Sequence, residues 1–305
     1  MRAVLRRLAE AAAVLFAVAV LTFALARLAP GGPFDRESPL SPEVKAQVER
    51  FYGLDRPLLA QFGSFLGNAL RGDLGPSYKY PGWSVQELIA DKIPVSLELG
   101  LWALAVALLA GVSAGLWAAS RPNGLRDYLA MAGAMTGICL PVFVLGPLLI
   151  LVFSLRLGWF NAGGWESASD RVLPALTLGL YYAAFVARLM RGSMLEVLPQ
   201  GYMRTAKAKG AGEARCYFCH AARNAITPVV SYLGPMAAGL LTGSFIVETV
   251  FQIPGLGRFF VSAALDRDYP MVLGCVLFYA LLILICNLRS DFLLAWVNPR
   301  LRKDI

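Results

Sequence analysis

The stretch Cys216-Tyr217-Phe218-Cys219-His220 spells CxxCH, the pattern through which haem is attached in c-type cytochromes, and it contains the only histidine of the chain. Taken alone it would describe a membrane cytochrome. A structural zinc site needs about four ligands, and this cluster offers three. With one histidine, no histidine-based metal cluster can form. Cys139, Cys275 and Cys286 fall inside apolar stretches and read as small apolar residues. There is no GxxxxGK[ST] phosphate loop, so the chain is not expected to bind ATP, or to be an enzyme, in its own right. Glu98 and Glu248 lie near the ends of two apolar stretches. An ionisable residue at such a depth marks a transport path or sits at the interface, and both readings stand.

The elements that must carry these residues follow from composition. Of 305 residues 57% are hydrophobic and 16% charged, against about 25% charged in soluble domains. Asp127 and Arg156 are separated by 28 uncharged residues, Arg223 and Glu248 by 24, and Glu98 and Arg121 by 22. A helix crosses a bilayer with ~20 apolar residues. A disordered chain, a disulfide scaffold and a purely peripheral protein are excluded. Six spans are expected: 8–28, 94–120, 128–155, 172–190, 226–250 and 270–296. Runs this long and uniformly apolar are helices and not barrel strands. Arg2, Arg6 and Arg7 ahead of the first span, with Ala24-Leu25-Ala26 near its end, have the outline of a signal peptide. The stretch is long for one, so a retained helix is expected.

Lys and Arg concentrate on one side of this arrangement: Arg2, Arg6 and Arg7; Arg121 and Arg126; Arg191, Arg204, Lys207, Lys209, Arg215 and Arg223; Arg300, Arg302 and Lys303. Short loops on the other side hold Arg156, Arg171, Arg258 and Arg267, accompanied by acids. Both termini are therefore expected in the cytoplasm. The formal charge of +8 is a topology signal and not a sign of nucleic-acid binding. The same bias puts CxxCH on the cytoplasmic side, away from where such haem is attached.

Two loops are long. Residues 30–93 mix seven Lys/Arg with eight Asp/Glu and carry the turn signals Pro30-Gly31-Gly32-Pro33, Ser38-Pro39 and Gly75-Pro76. Ser41-Pro42-Glu43 is a helix start. A small extracytoplasmic cap of short helices is expected, with a loosely ordered loop as the alternative. In the cytoplasmic loop, 191–225, a helix is expected over 200–209, with Gly210 ending it and Lys207 and Lys209 in the last turn. A second helix is expected over 213–224. Tyr202, Thr205, Ala206 and Lys209 share a face, and the small Thr205 and Ala206 permit close approach of another protein. Docking to a partner and lying on anionic lipid fit this helix equally.

The sequence RTAKAKG at 204–210, followed by FCHAARNAITPVV, resembles the coupling loop of ABC-importer permeases. Arg204-Thr205-Ala206 stands at the family's EAA positions and Gly210 at its glycine. Within His220–Ala225 the stretch HAARNA matches the peptide branch. Cys219 replaces the usual arginine there, and that replacement creates CxxCH. RLAPGGPF, GDLGPSYKY, RGSMLEVL, SYLGP, GSFIVETVFQIPGLGRFF, DRDYP and NPRLR extend the likeness along the chain. PSYKY is similar to the oligopeptide permeases, and the chain most resembles their B-type subunit.

The resemblance implies an all-α polytopic membrane protein with six transmembrane helices and the type I ABC-importer permease fold. It would comprise the first helix in 1–29, the cap in 30–93 and a five-helix permease core in 94–305. It implies a bacterial inner (plasma) membrane location and peptide import by alternating access. The implied partners are a second homologous permease, two ATPase subunits carrying ATP and magnesium, and an extracytoplasmic peptide-binding protein. Tyr202, Arg204, Thr205, Ala206, Lys207, Lys209 and Gly210 would transmit ATPase motion. Pro254, Gly255, Leu256 and Gly257 form a turn that is either an outer gate or a plain structural turn. Other cargoes of the same machine are dipeptides, nickel complexes, glutathione and antimicrobial peptides. A secondary transporter is the rival of another class, but the two halves of the chain show no internal repeat.

Overall fold

The structure, a computed structural model, describes residues 2–28, 47, 50 and 52–297. The turns at 30–33 and 38–39, the helix start at 41–43 and the 298–302 motif with Arg300, Arg302 and Lys303 lie outside the described residues. Among the described residues the helices of eight or more residues are α1 (Arg2–Leu28), α2 (Leu58–Ala69), α3 (Val85–Ala119), α4 (Leu125–Cys139), α5 (Val142–Leu149), α6 (Val172–Val197), α7 (Gly201–Ala208), α8 (Thr227–Val250), α9 (Leu256–Asp266) and α10 (Tyr269–Val297). Five stretches are each long and apolar enough to span a membrane, lying in α1, α3, α6 with the 3-10 turn before it, α8 and α10. The expected third span is a broken one. α4 and the stretch 142–156 meet at 105°. Pro141 is the cause: it lacks an N–H, and it forces Leu140 out of helical geometry to φ −84°, ψ 113°. Beyond Pro147 the chain runs on as a wider π-helical stretch, Ile150–Arg156.

The chain divides into two compact units, residues 1–95 with 254–284 and residues 96–253 with 285–305. In the first, Val85, Leu88, Ile89, Leu256, Ala263, Met271 and Cys275 form a buried cluster. Phe62 of α2 meets Phe16 and Phe23 of α1 edge-on. Asp268, buried at 1% exposure, accepts hydrogen bonds from the Ser77 hydroxyl and, at 3.1 Å, from the Tyr78 N–H. Lys79 pairs with Asp266. PSYKY and DRDYP, about 190 residues apart, are thus halves of one clip. Burial pushes the Tyr78 phenol up to about 12, so it stays neutral at physiological pH.

In the second unit α6 is the central helix. Ala184 and Ala187 pack with Ala134 of α4. A Cβ on Gly111 would lie 2.6 Å from Val186 Cβ and 2.7 Å from the Ala183 carbonyl; one on Gly115 would lie 2.6 Å from Met190 Cβ and 2.7 Å from the Ala187 carbonyl. α3 therefore lies on α6 at backbone distance, the small-xxx-small packing of helices in lipid. The shortest predicted span, 172–190, is part of a longer helical stretch, Ala168–Val197, just over half of whose apolar window is buried within the chain.

One ion pair lies at the start of α6 and another six residues before its end. Arg171 Nε donates to Glu98 at 2.5 Å, and Arg191 Nε and Nη2 donate to Asp127 at 2.5 and 2.6 Å. The 20 residues from Arg171 to Arg191 span ~30 Å at 1.5 Å each, about the thickness of the hydrocarbon core.

Candidate functional site

α7 lies in the basic loop and ends on Gly210. Gly210 has φ +86°, which a residue with a Cβ adopts only at a cost. Its N–H donates to the Lys207 carbonyl at 2.9 Å and the Ala211 N–H donates to the Ala206 carbonyl at 3.2 Å. Those two bonds make a Schellman cap, which satisfies carbonyls the helix end leaves open. The glycine stop expected from sequence is present, and the helix is Gly201–Ala208, one residue inside each expected bound.

Of the residues assigned to this helix, Tyr202, Arg204, Thr205, Lys207, Lys209 and Gly210 are exposed and Ala206 is half-buried. Met203, which sequence reasoning passed over, is the buried residue of α7, at 3% exposure. It holds the helix down while the basic face stays open. The expected second helix, 213–224, is present as one unbroken helical run over 213–225, whose middle, Cys216–Ala221, is a π-helical turn. The Asn224 amide donates to the Tyr202 hydroxyl at 2.8 Å, joining the two halves of the loop. The Tyr217 hydroxyl donates to the Leu116 carbonyl at 2.5 Å, fastening the loop to the end of α3. Burial pushes that phenol up to about 12. The two thiols of CxxCH differ in environment: Cys216 is buried, with its Sγ 3.5 Å from the Ala211 carbonyl, while Cys219 is exposed.

The two membrane acids also differ. Glu98 accepts from Arg171 and, at 3.2 Å, from the Trp165 indole, and the Arg171 guanidinium lies over the Trp165 ring at 4.9 Å. Glu248 is fully buried in α8 and accepts from the hydroxyls of Ser96 at 2.7 Å and Ser244 at 2.8 Å. Neither serine was singled out from sequence; Ser244 stands four residues before Glu248 and was in reach of helical spacing. Gly234 and Gly239 of α8 are close-packing positions. A Cβ on Gly234 would lie 2.7 Å from Ser290 Cβ, and one on Gly239 would collide with the Tyr182 hydroxyl. In the Pro254–Gly257 turn, Gly255 is extended and caps α9, and Leu256 is fully buried among Val85, Ile89 and Met271.

A basic, largely helical loop fastened to apolar, tightly packed spans has known counterparts. The family described as "Binding-protein-dependent transport system inner membrane component" matches residues 111–303. The chain belongs to this family. Its permease relatives include the oligopeptide transport system permease protein OppB of Haemophilus influenzae, 44% identical over 301 residues and 98% of each chain. The OppB of Escherichia coli K12 is 42% identical over the same shares. The dipeptide transport system permease protein DppB of Bacillus subtilis is 40% identical over 99% of this chain and 98% of its own. Among solved structures, the permease fold resembles the MetNI methionine ABC transporter in its inward-facing form, with a TM-score of 0.58 and 18% identity, covering 69% of this chain and 96% of that one. The all-helical permease fold expected from the sequence is the one observed.

Proposed function

We propose that this chain is the membrane-spanning subunit of an ATP-driven importer of oligopeptides, driven through its 202–210 helix. It spans a bacterial inner membrane with both termini in the cytoplasm. It works with a second permease, two ATPases that carry ATP and magnesium, and an extracytoplasmic peptide-binding protein. The full-length likeness to oligopeptide permeases supports the cargo. The single observation that carries the coupling role is α7 itself. It is a short helix whose one buried side chain is Met203, closed by Gly210, with its cations and Thr205 exposed and Ala206 half-buried.

Such a helix transmits motion as a rigid peg. An ATPase groove that closes on ATP moves it, and Tyr217, bonded to the end of α3, passes the displacement to the membrane helices. The assembled complex reconstituted in vesicles tests this. Labelled tetra- and pentapeptides should be taken up in preference to dipeptides. Ala206→Glu should abolish both uptake and binding-protein-stimulated ATPase activity while the complex still purifies intact. Full uptake and full stimulation in that variant would refute the coupling role.

A further inference from the structure

Beside α7 is a cavity of about 730 Å³, within the ~300–1,000 Å³ of small-ligand sites. Its walls come from the end of α3, the start of α4, α7 and the 213–218 stretch, and include Trp117, Arg126, Lys207, Glu213 and Phe218. Trp117 and Phe218 are 45% and 61% exposed, as aromatics at a membrane boundary are. The neighbouring Asp127–Arg191 pair marks the same level, one end of the ~30 Å interval measured along α6.

The two cations of this cavity stand out by what they lack. Arg171, Arg191 and Lys79 each hold a carboxylate. Among the described residues neither Arg126 nor Lys207 does, although Glu213 lines the same cavity. Asp127 turns to Arg191 and leaves its chain neighbour Arg126 open. Ser120 donates its hydroxyl proton to the Trp117 carbonyl at 2.7 Å, so only its lone pairs face outward.

We propose that this cavity binds the headgroup of an anionic glycerophospholipid, of the phosphatidylglycerol class. The phosphate diester lies between Arg126 and Lys207, the glycerol hydroxyls donate to Glu213 and Ser120, and the acyl chains leave past Trp117 and Phe218. A zwitterionic headgroup would bring its ammonium against the two cations. The proposal rests on the cytoplasmic placement of the 191–225 loop. Because Lys207 belongs to α7, the bound lipid touches the coupling helix directly.

The test is native mass spectrometry of the whole complex released from nanodiscs of phosphatidylglycerol or of phosphatidylcholine with the same acyl chains. The wild-type complex should retain one phosphatidylglycerol that Arg126→Gln and Lys207→Gln each hold about fivefold more weakly. Arg121→Gln, in the same loop but outside the cavity, should retain it fully. Equal retention in all variants, an equal loss in Arg121→Gln, or equal retention of phosphatidylcholine would overturn the proposal. Displacement by excess inorganic phosphate would show a free-anion site instead. An adduct seen only after the ATPases are stripped off would make the cavity part of their seat, and would equally overturn it. Lipid retention is read without uptake or ATPase activity, so failure of the coupling role and failure of this site are separate results.

Discussion

The α3–α6 seam and the α7 loop solve opposite problems with the same kind of residue. Along the seam, Gly111 and Gly115 have no room for a side chain. Ala103, Ala107, Val186 and Met190 are fully buried there, and the ion pairs of Arg171 and Arg191 lie toward its two ends. In the loop, Gly210 has open space around its Cβ position and is needed for its left-handed φ alone. There the charges face outward and burial rests on Met203. Lipid gives helices no hydrophobic reason to associate, so the seam is held by close approach. The loop must stay presentable to another protein, so it is held by a cap, one apolar anchor and two side-chain hydrogen bonds. Glycine therefore means contact in one region and conformation in the other.

The largest effect expected from this contrast is at Gly115. Overpacking a core costs about 1–3 kcal/mol when side chains can shift; here the obstacles include the Ala187 carbonyl and the Arg191 N–H, which cannot. Gly115→Leu should leave little monodisperse complex after extraction. Gly192→Ala, at a glycine of α6 with nothing within 4 Å, should purify as the parent does. Equal yields would mean that the seam is not tightly packed.

The ion pair at the Arg191 end comes next. Asp127 is 3% exposed and accepts both Arg191 donors and the Asn123 N–H. Arg191→Gln leaves a buried carboxylate without its cation, a loss of roughly 3 kcal/mol. It should lower the unfolding midpoint of the complex clearly, and adding Asp127→Asn should recover part of the loss. If the two single losses simply add, the pair is not acting as a unit.

How much of this was legible in the sequence depended on the distance over which each feature is determined. Five spans and the glycine stop at 210 are local; hydropathy and helix-end chemistry located most of their ends to within a few residues, but α3 begins nine residues before its expected start and α6 ends seven after its expected end. The third span was expected as a single run over 128–155; Pro141 stands in the sequence at the break, but the 105° angle depends on what α4 and α5 pack against. The Gly111–Gly115 spacing was present as GVSAG and could have been read as a contact motif. Met203 had no periodic company in a basic run, so nothing local signalled its burial. The Asp268 clip joins residues about 190 positions apart, and Ser96 meets Glu248 across 152; a single sequence carries no signal for such pairs. PSYKY, read from resemblance as a pointer to cargo, is fixed in place by Asp266 and Asp268.

The smallest predicted effect is at Gly210, and it sharpens the contrast most. Gly210→Ala meets no atom, so its cost is the left-handed backbone alone, about 1 kcal/mol. That energy is local to the Schellman cap, whose bonds run from the amides of Gly210 and Ala211. Hydrogen exchange at residue 210 and at Ala211 should therefore quicken about fivefold, following the 1 kcal/mol loss of local stability. The unfolding midpoint of the complex should not move, because a Cβ at Gly210 meets nothing within 4 Å. If coupling requires α7 as a rigid peg, ATPase stimulation should weaken in step with the exchange. A fall in the midpoint comparable to that of Arg191→Gln would mean that the loop belongs to the same cooperative unit as the seam. The distinction between a packed core and a presented handle would then be lost.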